Sequence, residues 1–332
     1  MSDSPIQPAH TTTADGTPRR IGVEVEFAGL DCAPAAEIVA EITGGKLQAV
    51  DRYRYLIEET GQGTYVVELD TQYVHPEEGG QAEERVQLES ERLGRAIEEG
   101  LRTAIGEVTR MYLPVELVCP PVGIAELSQL DEMTARLRQA GATGTRDSVV
   151  YAFGLQLNPD LPAMDAPTIL RYLRAYLVCA DWLRRDIGID LTRRVLPFIQ
   201  PYPRTYIQKV LDPAYDPDIA DLIDDYLVHN PTRNRDLDLL PLFTFLAPQK
   251  VRAAVDDPRL KARPALHYRL PDSRIDDPDW GVVAEWNRWA RTVEALADDP
   301  DRLREMSEAY LRYLEDAWFP DWADAADAWL HR

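Results

Sequence analysis

Hydrophobic and polar residues alternate along several short stretches of the chain, and a period of two is typical of β-strands with one buried face. The first stretch reads RIGVEVEFAGL, in which Val23, Val25 and Phe27 alternate with Glu24 and Glu26. Similar stretches follow, bounded by glycine, proline and other turn-forming residues. Further strands are therefore predicted over residues 47–58, 63–70, 114–121, 148–159 and 263–271, with Pro120-Pro121 and Pro159 expected to end two of them.

Apolar residues at helical spacing predict helices in much of the remaining chain. From about residue 165 onward this pattern dominates, and near the C-terminus it places Trp286, Trp289, Val293 and Leu296 on one stripe. A mixture of short strands and longer helices of this kind predicts an α+β fold. Helices are predicted over residues 34–42, 81–109, 124–140, 167–186, 216–229, 235–246 and 281–317.

The first 19 residues differ in composition from the rest, because they are rich in Ser, Thr, Pro, Gly and Asp and contain almost no large apolar residues. Such a segment is typical of a disordered tail. No internal repeat and no long linker interrupts the chain after it. We therefore expect a tail over residues 1–19 and a single domain over 20–332, with a helical insertion at about 160–250 and a helical C-terminus at about 281–332.

The charge balance limits the partners of the protein. Its 332 residues include 36 Lys and Arg against 57 Asp and Glu, a formal net charge of −21. A field of this sign repels nucleic acids and anionic membranes, although it allows a small anion in a local basic cleft. The N-terminus lacks the apolar segment of a secretory signal, and the three cysteines are too far apart for a metal-binding motif. We expect a cytoplasmic protein without nucleic-acid or membrane partners.

Several predicted strands carry carboxylate or other polar side chains on one face, because residues two apart on a strand point the same way. Glu24 and Glu26 share a face of the first strand, and Gln156 and Asn158 share a face of a later one. A solvated outer surface is the simpler interpretation of any single pair. If the strands belong to one sheet, however, that face becomes a cup whose oxygen atoms suit Mg²⁺ or Mn²⁺. The other polar residues of such a cup are Glu68, Asp70, Glu116, His267 and Arg269.

Two basic segments add candidate anion ligands. Arg233 and Arg235 stand just before a predicted helix start, where backbone N–H groups favour anions. Arg263 and Arg269 share a strand face with His267. The alternatives are that the first two arginines pair with nearby aspartates, and that the histidine is structural. The chain contains no phosphate-binding glycine loop, dinucleotide-binding glycine motif or serine-hydrolase elbow.

The order of the segments resembles a known family. RIGVEVEFAGL, YVVELD, VELVCPP, YAFGLQLNP, HNPTRNRDLDLLPLF and RPALHYRLP follow one another between about residues 20 and 297, before a Trp-rich helix. This series is similar to the putative amidoligase family, a branch of the carboxylate–amine ligases that includes glutamine synthetase and glutamate–cysteine ligase. The resemblance implies an antiparallel sheet curved into a partial barrel, with helices on its convex side.

The resemblance also implies a reaction, in which ATP phosphorylates a carboxylate and an amine then displaces the phosphate to form an amide. It implies ATP and Mg²⁺ (or Mn²⁺) as cofactors, and a small-molecule or peptide carboxylate and an amine donor as partners. By the same resemblance, the catalytic residues are Arg263, His267 and Arg269, the nucleotide is bound by Asn158, Arg233, Arg235 and Arg269, and the metal ligands are Glu24, Glu26, Glu68, Glu116, Gln156 and His267.

One position departs from the family pattern, because Gln156 stands where the family strand usually has histidine. Glutamine can coordinate Mg²⁺ through its carbonyl oxygen but cannot transfer a proton. The sequence therefore leaves open two alternatives to the ligase. One is a nucleotide- and metal-binding scaffold with impaired catalysis, and the other is a metal-dependent phosphotransferase.

Overall fold

The computed structural model of the protein describes residues 4–69, 114–145, 153–189, 199–315 and 321–331. Within these residues an antiparallel sheet is covered by helices on its convex face, which confirms the predicted fold class. The strands are β1 (Arg20–Phe27), β2 (Lys46–Ala49), β3 (Arg54–Glu58), β4 (Tyr65–Leu69), β5 (Val115–Gly123), β6 (Leu155–Pro159), β7 (Leu237–Asp238) and β8 (His267–Tyr268).

Strand β1 lies inside the sheet, whose order is β2-β3-β4-β5-β1-β6-β8-β7 and which is curved but not closed. It pairs with β5 on one side and with β6 on the other, although neither strand is next to it in the chain. The alternation of β1 explains the difference between its two faces. Its apolar residues are buried in the core, whereas Glu24 and Glu26 are half-buried on the opposite, concave face.

The helices complete the core on the convex side. The longest described one, α3, is buried on most of its surface because it packs against several of the C-terminal helices. None of the described helices is long and apolar enough to span a membrane. The helices are α1 (Cys32–Thr43), α2 (Leu127–Gln139), α3 (Ala166–Ile187), α4 (Arg204–Leu211), α5 (Ile219–His229), α6 (Leu240–Leu246), α7 (Pro248–Ala254), α8 (Val282–Trp289), α9 (Ala295–Ala297), α10 (Pro300–Glu315) and α11 (Trp322–Leu330), and a π-helical turn, Ala290–Glu294, joins α8 to α9.

Strand β5 continues through the two prolines that were expected to end it. The pairing register between β1 and β5 shifts between Ile21 and Val23, opposite Pro120 and Pro121. The prolines therefore occupy a β-bulge, where a residue without an N–H group removes no regular ladder hydrogen bond.

Two other predicted strands are shorter than expected. Residues 47–58 form the separate strands β2 and β3, because Asp51 accepts a hydrogen bond from the N–H of Tyr53 and closes a turn between them. In the stretch 263–271 only β8 is a regular strand, since Pro264 and Pro271 cannot donate to a ladder.

The region predicted as a helix over residues 235–246 begins instead with strand β7, and α6 follows it. The predicted helix over residues 81–109 lies outside the described residues, as do residues 148–152 of one predicted strand.

Residues of the segment that was predicted to be a tail make contacts with the C-terminal helices. The Ile6 carbonyl accepts a hydrogen bond from the Trp286 indole (2.9 Å), and the Ile6 N–H donates to Asn287 (2.7 Å). Arg19 forms two hydrogen bonds, of 2.6 and 3.0 Å, with the carboxylate of Glu294, and both side chains are almost completely buried. Composition did not reveal these contacts because their partners lie 275 to 281 positions away in the chain.

Candidate functional site

The concave face of the sheet carries a row of carboxylates on adjacent strands. Glu68 of β4 pairs in register with Glu116 of β5, which pairs in turn with Glu26 of β1. Residues paired in this way share a face, so the structure brings these three predicted residues together. Arg54, on β3, lies 3.2 Å from the Glu68 carboxylate at the outer end of the row.

Glu24 lies on the same face and is held by two amide side chains of β6. Its Oε1 atom accepts hydrogen bonds from Nε2 of Gln156 and from Nδ2 of Asn158, both at 2.9 Å. The Nε2 atom of Gln156 also lies 2.9 Å from Oδ1 of Asn158. Strand β6 therefore fixes the orientation of the Glu24 carboxylate.

Gln156 connects this acidic part of the face to a basic part. Arg269 donates a hydrogen bond from Nη1 to the Oε1 atom of Gln156. The carbonyl oxygen that was expected to bind a metal ion therefore faces a guanidinium, and the amide nitrogen faces Glu24. In this arrangement Gln156 is a bridge between two charged side chains.

Asp238 is a residue of the site that the sequence analysis missed. It is fully buried, lies 3.2 Å from Nη2 of Arg269, and accepts a hydrogen bond from the N–H of Leu240 (2.9 Å). Burial raises the pKa of its carboxyl group, and Arg269 partly offsets that effect. The alternation Asp-Leu-Asp at residues 236–238 could have indicated a short strand with polar side chains on one face. Asp238 was counted in the sequence analysis only among the aspartates near Arg233 and Arg235.

His267 lies opposite Asp238 in the pairing of β7 with β8 and is 93% buried, with a relative exposure of 7%. Its Nδ1 atom lies 3.1 Å from Nε2 of Gln156. Burial, followed by the positive charge of Arg269, holds the pKa of His267 well below its usual range. The ring is therefore neutral at pH 7.

Arg233 and Arg263 also act electrostatically on His267. Arg233 is half-buried, and burial followed by the charge of Arg269 lowers the pKa of its guanidinium. Arg263 is exposed, and its backbone N–H donates to the carbonyl of Pro241. We refer to Arg233, Arg263, His267 and Arg269 as the basic group. Its three arginines concentrate positive charge locally in a protein of net charge −21.

Arg235 is separate from this group, although it was predicted to bind the nucleotide. Its guanidinium is buried, where it donates to Oδ1 of Asn230 (2.8 Å) and to the carbonyl of Pro201 (2.7 Å) and lies over the Tyr202 ring. These contacts support a structural role. Pairing of Arg233 or Arg235 with a nearby aspartate was the alternative interpretation. Asp236 forms its ion pair with Arg184 instead.

The donor chemistry of the concave face suits Mg²⁺ in part. Carboxylate oxygens are its preferred protein ligands, and Mg²⁺ bound with a nucleotide commonly takes only one or two of them. Glu26, Glu68 and Glu116 supply such oxygens. Within the described residues, however, no group of three or more His, Cys, Asp or Glu side chains converges as a preformed metal centre. Gln156 and His267 contact each other and do not fit a metal-ligand pair as they are oriented.

Comparison with known proteins gives one match. Residues 17–291 match a family model described as "Putative amidoligase enzyme", which covers most of the segment in which the resemblance was seen. No curated protein and no solved structure matched the chain.

Proposed function

Because the chain belongs to the putative amidoligase family, we propose that it is an ATP-dependent carboxylate–amine ligase that forms an amide or isopeptide bond. In the proposed reaction a carboxylate oxygen attacks the γ-phosphorus of ATP, which releases ADP and leaves an acyl phosphate. The amine nitrogen then attacks the acyl carbon, phosphate departs, and the nitrogen loses a proton. The products are an amide, ADP and phosphate.

The observation that supports this proposal best is the division of charge across the concave face. Carboxylates of β4, β5 and β1 lie on one side, and Arg269 with the rest of the basic group lies on the other. Phosphoryl transfer needs stabilisation of phosphate oxygens and positioning of the reactants. Arginines suit the first task because their planar N–H groups match phosphate oxygens.

Within this proposal the acidic residues Glu24, Glu26, Glu68 and Glu116 would hold Mg²⁺, and Arg233 and Arg269 would bind phosphate. When bound, Mg²⁺ would neutralise negative charge on the phosphate groups. A carboxylate of the concave face would accept the proton that the amine loses. The acidic surface of the protein favours a cationic amine donor, either a small molecule or a peptide.

The test combines the purified protein with ATP, Mg²⁺ and mixtures of carboxylates and amines. ADP release is followed by a coupled assay, and the amide is identified by mass spectrometry. The variants Glu24→Gln and Arg269→Gln are expected to reduce amide formation at least 100-fold, as loss of a charged group that stabilises a transition state does. Glu305→Gln and Arg304→Gln, two exposed positions on α10, are the matched controls and are expected to retain full activity.

Full activity in both site variants would contradict the assignment of the site. ADP and free phosphate without any amide, in the presence of every amine tested, would favour the alternative in which the same face transfers the phosphoryl group to another acceptor, in this case water.

Gln156 supports a second candidate, a scaffold that binds nucleotide without turnover. Its amide cannot transfer a proton, and its oxygen is bonded to Arg269. This candidate predicts that ATP with Mg²⁺ raises the melting temperature of the protein while no ADP is formed. Gln156→His would then gain ligase activity. Turnover by the native protein would exclude the scaffold.

A further inference from the structure

The hydrogen bonds around Gln156 fix which way its side-chain amide points. Arg269 has only donors, so it requires the amide oxygen on its side. The Oε1 atom of Glu24 accepts hydrogen bonds from two side-chain amides, so it requires the amide nitrogen of Gln156 on the other side. Rotating the amide by 180° would place a donor against the guanidinium and an oxygen against the carboxylate. Both neighbours therefore favour the same orientation.

This orientation determines the tautomer of His267. The Nδ1 atom of the ring lies 3.1 Å from the amide nitrogen of Gln156, which has no acceptor capacity. A proton on Nδ1 would point at the amide N–H group, so Nδ1 must carry the lone pair. A neutral imidazole has one proton on its two nitrogens, and in His267 that proton is on Nε2.

Two of the buried N–H groups that have no hydrogen-bond partner within the described residues bear on this site. They are Nε2 of His267 and Nε of Arg233, and both atoms are buried from solvent. The imidazole is 93% buried, and the guanidinium of Arg233 acts electrostatically on it. Leaving buried donors unsatisfied is unfavourable, and an acceptor that bonds to them would remove that cost.

We propose that Gln156 holds His267 as the Nε2–H tautomer, and that this N–H group and Arg233 together bind an oxyanion, a phosphate or carboxylate oxygen. The oxyanion belongs to a substrate of the ligase, so this part rests on the proposed function. His267 is then an anion-binding residue and not a metal ligand. Gln156 is a positioning residue that acts through His267.

The same hydrogen bonds oppose a metal ion on Nε2. To expose a lone pair there, the proton would have to move to Nδ1, where it would meet the amide N–H of Gln156. Relief of that contact would require the amide to rotate, and both Arg269 and Glu24 oppose the rotation. The unusual glutamine at position 156 thus favours an anion over a cation at His267.

The first test measures the tautomer in the full-length native protein, without substrate. The chain has five histidines, so ¹⁵N-histidine labelling gives a simple spectrum, and His267→Asn identifies the signals of His267. Two-bond ¹H–¹⁵N correlations distinguish a protonated from an unprotonated ring nitrogen. We expect Nε2 to be protonated and Nδ1 to be unprotonated. The Nδ1–H tautomer would overturn the inference.

Gln156→Glu provides a matched reversal of this tautomer. The substitution preserves the shape of the side chain but replaces the donor nitrogen with an acceptor oxygen, so Nδ1 of His267 should become the protonated nitrogen. Gln139→Glu, at the exposed end of α2, makes the same chemical change away from the site and should leave the His267 spectrum unchanged. Retention of the Nε2–H tautomer in a folded Gln156→Glu protein would show that Gln156 does not control it.

Binding is tested by adding inorganic phosphate, ADP or acetate to the metal-free native protein. A saturable shift of the His267 Nε2 signal with phosphate and ADP, but not with acetate, would identify the phosphate part of the nucleotide as the occupant. A shift with acetate alone would identify the substrate carboxylate. In either case Arg233→Gln should weaken binding at least tenfold. No shift with any of the three anions would overturn the binding site.

The outcomes are separable from those of the ligase proposal. The Nδ1–H tautomer would leave that proposal intact, because amide formation does not depend on it. An Nε2–H tautomer with phosphate binding, but without amide formation from any substrate pair, would contradict the ligase and support the anion site.

Discussion

At the level of single residues, Asp238 connects the basic part of the concave face to the start of helix α6. One of its oxygens faces Arg269, and the other accepts the N–H group of Leu240. Arg269 in turn donates to Gln156, which orients Glu24 and faces His267. A single buried carboxylate therefore influences side chains on three strands.

Asp238→Asn is expected to destabilise the protein and to weaken phosphate binding. Asparagine can still accept the Leu240 N–H, but it removes the negative charge that Asp238 places 3.2 Å from Nη2 of Arg269. We expect a loss of about 2 kcal/mol in the free energy of unfolding, measured with urea. Asp301→Asn, an exposed residue paired with Arg304, is the control and should cost less than about 0.5 kcal/mol. Equal effects of the two substitutions would contradict the role of Asp238.

At the level of secondary structure, helix α8 depends on a carboxylate from another helix. The residue before its first turn is Gly281, which has no side chain to cap the helix, and Asp131 of α2 accepts the N–H group of Val283 instead (3.1 Å). Gly281 is suited to this contact, since a Cβ atom there would lie 2.7 Å from Oδ1 of Asp131. Burial raises the pKa of the Asp131 carboxyl group above its usual value, although the helix N–H groups oppose that shift.

This shift predicts the sign of a pH effect. Because the pKa of Asp131 is higher in the folded than in the unfolded protein, the folded state binds more protons just above pH 3.8, and this contribution to stability decreases as pH rises through the folded pKa. Asp131→Asn cannot titrate. The native protein should therefore gain stability relative to this variant as pH is lowered from 7 towards 4.

The measurement is a series of urea unfolding curves at several pH values. Glu132→Gln, at the exposed neighbouring position, should show no such relative change. The opposite slope for Asp131→Asn would contradict the raised pKa.

At the level of the whole molecule, the N-terminal segment is joined to the C-terminal helices by a buried ion pair. Glu294 accepts two hydrogen bonds from Arg19, one from the Tyr172 hydroxyl (2.6 Å) and one from the Trp289 indole (3.2 Å). Arg19 also donates to the carbonyls of His10 and Asp160. The network joins parts of the chain that are far apart in sequence.

Glu294→Gln should be strongly destabilising, because it leaves the Arg19 charge buried without an anionic partner. Breaking a buried ion pair in this way costs about 3–5 kcal/mol. Urea unfolding would measure the loss, and the exposed substitution Glu305→Gln is the matched control. A loss below about 1 kcal/mol would show that the pair contributes little.

The sequence predicted the parts of the fold that depend on local patterns. Alternation in β1 and β6 correctly placed Glu24, Gln156 and Asn158 on a polar face. Strand order and the partners of buried charges depend on contacts between distant residues, which periodicity does not encode. The bond between Arg269 and Gln156 joins residues 113 positions apart, and the buried position of Arg235 depends on Pro201 and Tyr202.

The interior position of β1 also bears on the order of events during synthesis. Gln156, the partner of Glu24, is made 132 positions after it, and Arg269 comes a further 113 positions later. At bacterial or eukaryotic translation rates, each interval lasts roughly ten seconds. During these intervals β1 has been synthesised but not all of its partners in the sheet have been. A nascent chain with an unpaired strand exposes apolar side chains to which chaperones can bind. We expect nascent chains released before β8 to be more prone to aggregation than the complete chain, as measured by the fraction of each that sediments on centrifugation.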